Sequence, residues 1–113
     1  MLSDDGGNGL GQVGHHLATL DAAVEGLLAE PLTGLSEADV VEALQRMEVS
    51  LRKAAAVGHR FVVESVERSI PANLACRSIN DFLVSTLRIS GADAAKRVKG
   101  ATKTGTWHTL SGL

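Results

Sequence analysis

Aromatic side chains are almost missing: Phe61, Phe82 and Trp107 are all there is, and tyrosine is absent. A core without them must be filled by Ala, Val and Leu, which suits helix packing better than a β-sandwich. Cysteine occurs once, as Cys76, which excludes an intramolecular disulfide framework and fits a reducing cytoplasm. Flanked by apolar residues, that thiol reads as core or loop filler rather than a nucleophile. No apolar run approaches the ~20 residues of a membrane span, and the start, Met1-Leu2-Ser3-Asp4-Asp5, is acidic where an export signal is basic. The expected location is cytoplasmic. Base is lacking from one end: residues 1–48 hold nine acids against Arg46 alone, whereas 49–113 hold ten bases against four acids. Such a split gives one end that can meet an anionic partner, or two halves that pair with each other.

What is present is an ordinary globular balance, 44% apolar and 21% charged in 113 residues, enough for one domain with a small core. Residues 1–14 are polar and Gly-rich and read as a flexible tail. A first helix is expected from about His15 to Ala29, where Leu17, Leu20, Val24 and Leu27/Leu28 make one stripe and Glu30-Pro31 ends it. Ser36 with Asp39 opens a long second helix reaching about Ser69. Its apolar face is Val40, Leu44, Met47, Leu51, Ala54/Ala55, Val62 and Val66. Glu42–Arg46, Glu48–Arg52 and Glu64–Arg68 stand four apart in the favourable order, each contributing about 0.2–0.5 kcal/mol. Gly58 is the place where this helix is expected to bend or split, and Pro71 forbids its continuation. After a loop around 70–77, Ser78 with Asp81 opens a third helix over 79–87, facing Ile79, Phe82, Leu83 and Leu87 inward. Ser90 with Asp93 opens a fourth over 91–99, with Gly100 as its C-cap. Residues 104–113 read as an irregular tail, leaving 15–103 as the helical domain. The fold class is all-α, with one long helix and a C-terminal helix-turn-helix-like pair.

Candidate chemistry is sparse. Gly9-Leu10-Gly11-Gln12-Val13-Gly14 matches GxGxxG, but a dinucleotide site needs a buried strand before the glycines, and here an acidic, Gly-rich stretch stands in its place. His15 and His16 diverge by about 100° on a helix, and His59 and His108 are remote, so no metal-ligand spacing exists. The serines at 36, 78 and 90 are explained as caps. No catalytic residue, cofactor, metal or small-molecule substrate is expected.

The informative stretch is 78–99, SINDFLVSTLRISGADAAKRVK. Ile89-Ser90 at the turn, Ala92 after it and Val98 as a later anchor follow a helix-turn-helix pattern, with Arg88 where a Gly commonly accommodates φ > 0. Ala94, Ala95 and Val98 are expected on one face of the last helix. Lys96 and Lys99 lie opposite, joined by Lys103 should the helix pass Gly100, and Arg97 lies on the flank. Arg88, Lys96, Arg97, Lys99 and Lys103 are therefore the candidate nucleic-acid contacts, all suited to phosphate. Asn and Gln are absent from that face, so base-specific reading is not indicated. The same lysines equally suit a solvated face of a structural hairpin. The partners expected are DNA or, through the long helix, a second copy or another protein.

Residues 35–99 resemble the actinobacterial 13E12 repeat family, also called domain of unknown function 222. The resemblance is carried by LSEADVVEALQRMEVSLRKAAAVGHRFVVES and RSINDFLVSTLRISGADAAKRVKGA, with Phe82-Leu83, Ile89-Ser90 and Ala92–Val98 at the family's aromatic-Leu pair, Ser turn and Ala-rich helix. In that family the helical domain usually precedes an HNH endonuclease domain, which implies a nucleic-acid setting. No His-Asn-His constellation or accompanying cysteine set is present here, so nuclease activity is not carried over. The chain departs from the family after Lys103, as expected of a truncated repeat copy.

Overall fold

The computed structural model describes residues 8–103. A 3-10 turn (Asn8–Leu10) leads into α1 (Gly11–Ala29), followed by α2 (Glu37–Glu67), α3 (Ile70–Asn73), α4 (Ile79–Leu87) and α5 (Gly91–Lys103). There is no strand among the described residues, and the fold is all-α. The chain divides into two compact units, Met1–Val40 and Val41–Leu113.

In the first unit α1 begins at Gly11, four residues before the expected His15, so the end of the Gly-rich stretch is helical. Leu10 and Val13 carry the apolar stripe one turn further back, which is the physical reason for the earlier start. No residue of α1 is buried. The capping box that opens α2 is reciprocal: Ser36 Oγ accepts from Asp39 N–H at 3.1 Å, and Asp39 Oδ2 accepts from Ser36 N–H at 3.3 Å.

The second unit holds the core. Val62 and Val63 of α2, Phe82 and Leu83 of α4, and Ala94 and Ala101 of α5 are buried together. Ile70, Cys76, Ile79, Val84, Ile89 and Val98 pack around them half-buried. The small side chains on α5 let it approach closely, and Phe82 supplies most of the bulk. Arg46, Arg52 and Arg68 meet Glu42, Glu48 and Glu64 along the solvated side of α2.

Four expectations change here. Gly58 leaves α2 unbroken, since a single glycine costs only about 1 kcal/mol in a helix held by its neighbours. The expected loop at 70–77 contains a one-turn helix, α3. Pro71 sits in its first turn, where a missing N–H costs nothing, and Asn73 and Leu74 donate to Ser69 and Ile70. Leu87 is exposed rather than inward, because α4 has no neighbour over its last turn on that side. Finally, α5 runs through Gly100 to Lys103. A Cβ on Gly100 would lie 2.5 Å from His59 Nε2, so this glycine leaves room for the tip of the His59 ring and is not a C-cap.

Candidate nucleic-acid interface

The α4–turn–α5 pair is built locally at each end. Ser78 Oγ accepts from Asp81 N–H at 3.0 Å and Ser90 Oγ accepts from Asp93 N–H at 3.0 Å, so each serine satisfies an orphan donor of its helix. Between them Arg88 adopts φ 57°, ψ 46°, the left-handed conformation expected for a residue ending a helix in a tight turn. Arginine in place of glycine there carries strain of about 1 kcal/mol. Its side chain is exposed at the turn.

On α5 the buried or half-buried residues are Ala94, Val98, Gly100 and Ala101, which lie on one face of the helix. Ala95, expected with them, is exposed: it lies about 100° round from Ala94. Because α5 continues to residue 103, Lys96, Lys99 and Lys103 form a stripe opposite the buried face, all three exposed. At 1.5 Å per residue the stripe is about 10 Å long. No ion pair neutralises these lysines among the described residues. The only acid on α5 is Asp93, in the first turn, where it complements the helix dipole.

Arg97 does not join that stripe. It turns toward an open groove of about 650 Å³ that runs along α2 past the end of α4, lined by Leu51, Ala54, Gly58, Phe61 and Leu87 among others. Of the five expected contacts, the fold thus gathers three lysines on one face, puts Arg88 at the turn and sends Arg97 to the groove. The groove lies outside what the sequence pattern indicates. Its signal is the run of small residues Ala54, Ala55 and Gly58, which the spacing by itself marks only as helix face and weak point.

Among the described residues no helix is long and apolar enough to cross a membrane. Residues 41–106 match the model of the family described as Domain of unknown function (DUF222). The matched segment begins at the first residue of the second unit and contains the core, the groove and the lysine stripe. No curated protein and no solved structure matches the chain.

Proposed function

The chain belongs to the DUF222 family, and on that premise we propose that it is a non-catalytic helical module that holds nucleic acid by its phosphates. The observation that carries this reading is the stripe Lys96, Lys99 and Lys103 on the exposed face of α5, free of ion pairs among the described residues, with Arg88 at the turn beside it. Three ammonium groups at helical spacing suit successive phosphates, and each phosphate neutralised releases counterions from the duplex. The face offers no planar amide for reading adenine, so the binding is sequence-tolerant. The test is duplex DNA binding by the full chain at low and moderate salt, with Lys96→Glu and Lys99→Glu. Binding that weakens with salt and drops in the double variant supports the reading; binding indifferent to both changes contradicts it.

A second reading is self-association through the long helix. It is favoured by Val40, Leu44, Met47 and Leu51, which share one face of α2 and are between 40% and 66% exposed. Contiguous apolar stripes of this kind mark interaction surfaces.

A further inference from the structure

We propose that the groove of the second unit binds a free alkyl carboxylate, its chain lying along α2 and its head group on Arg97.

The groove lies wholly within the second unit. Helix α2 lines it from Leu51 to Ser65, α4 from Phe82 to Leu87, and α5 through Arg97 alone. At 1.5 Å per residue the α2 side is about 21 Å long. Its volume of about 650 Å³ falls inside the range of small-molecule sites, roughly 300–1,000 Å³. Spread over that length, the volume gives a groove about 6 Å wide. A helix with its side chains is about 10–12 Å thick and does not enter such a groove, whereas a single alkyl chain does. Small residues make the room: Ala54, Ala55 and Gly58 line it, together with the buried Val62 and Leu83 of the core. An alkyl chain laid there leaves water at both of its sides, which is favourable in proportion to the area covered.

Charge selects the head group. No acid lines the groove, and Arg97 is the one lining residue with a permanent charge. Asp93 stands four residues before it on α5, in the spacing of a helical ion pair. Yet no ion pair joins Arg97 to any acid among the described residues. His59 lines the same groove, with its ring tip over Gly100, one turn along α5 from Arg97. Ser65 turns its hydroxyl to Phe61 C=O at 2.8 Å. The groove thus offers carbon along its length and a guanidinium with no partner. A planar carboxylate takes two parallel hydrogen bonds from that fork. A neutral chain leaves the arginine unmatched, and a cationic one is repelled. Lys96, Lys99 and Lys103 do not line the groove, so this site is separate from the lysine stripe.

The test is calorimetric titration of the full chain with octanoate, 1-octanol and octylammonium. Wild type is compared with Arg97→Gln, Gly58→Leu and the double variant Lys96→Gln, Lys99→Gln. A Cβ at Gly58 meets nothing within 4 Å, and leucine is the better helix former, so the groove is filled without disturbing α2. Ala54→Leu is a second way to fill it, and helix content by circular dichroism checks both. The proposal expects one octanoate site, octanol weaker by about tenfold or more, and no octylammonium binding. Arg97→Gln is expected to bring octanoate to the level of octanol and leave octanol unchanged. Gly58→Leu and Ala54→Leu are expected to weaken both, and the lysine variant neither. No saturable octanoate binding, or equal binding of octanoate and octanol, overturns the proposal. So does octanoate binding that survives Arg97→Gln and is lost in the lysine variant, which would place the head group on the stripe. Saturable binding of an acidic amphipathic peptide, with none of octanoate, would give the groove to a protein partner and overturn it as well.

Discussion

The His59 ring reaches over Gly100: a Cβ added to Gly100 would sit 2.5 Å from Nε2 and 2.8 Å from Cε1 of the imidazole. In an isolated helix Gly→Ala gains about 1 kcal/mol. Here the tip of the ring must first swing aside, which takes back part of that gain. Gly100→Ala is therefore expected to gain less than about 1 kcal/mol in urea unfolding, and the full amount in a His59→Ala background. Equal gains in the two backgrounds would show that the ring does not constrain position 100.

Arg88 occupies the left-handed region at the end of α4. Arg88→Gly relieves that strain and is expected to raise stability by about 1 kcal/mol, while Arg88→Ala, which keeps a Cβ, gains nothing. Thermal melts of the two variants side by side decide the matter. Equal midpoints would show that the strain is absent.

Ser78 and Ser90 each cap a helix through one hydroxyl. Replacing either with Ala is expected to cost about 1 kcal/mol, and replacing it with Gly only a few tenths. Equal losses for Ala and Gly at Ser90 would mean that something other than the cap is being disturbed.

Leu83 is buried in the second unit, 4% exposed, whereas Leu44 is 66% exposed. Leu83→Ala is expected to lose 2–5 kcal/mol, roughly the range for core truncation. Leu44→Ala is expected to stay within about 0.5 kcal/mol at concentrations where the chain is monomeric. Denaturant titrations at one low concentration compare them.

The parts legible in the sequence are those fixed by neighbours along the chain. The serine caps at 36, 78 and 90, the three Glu–Arg pairs and the left-handed residue at position 88 depend on contacts within four residues, and each stands where its pattern placed it. Gly100 misled because a glycine after a run of helix-formers signals a C-cap equally well as a close approach, and only the position of His59 separates the two. Leu87 and Ala95 misled because a stripe shows which face is apolar and not how wide its cover is. The lysine face was legible as far as Lys96 and Lys99. Lys103 depended on whether α5 passed Gly100, and Arg97 on where α2 and α4 leave the groove open.

Salt dependence gives the size of the proposed phosphate contact. Three lysines on three phosphates imply a slope of log K against log salt of about −3, at roughly 0.9 per phosphate. Lys96→Gln with Lys99→Gln is expected to reduce its magnitude by about 2. An unchanged slope would place the contacts elsewhere on the chain.

The most direct measurement is to titrate the isotope-labelled full chain with a short DNA duplex and record which backbone amides shift. The phosphate-contact account predicts shifts concentrated in residues 88–103, fading as salt rises and lost in the Lys96→Glu, Lys99→Glu variant. Shifts confined to α1 and the first turns of α2, or no shifts at low salt, would contradict it.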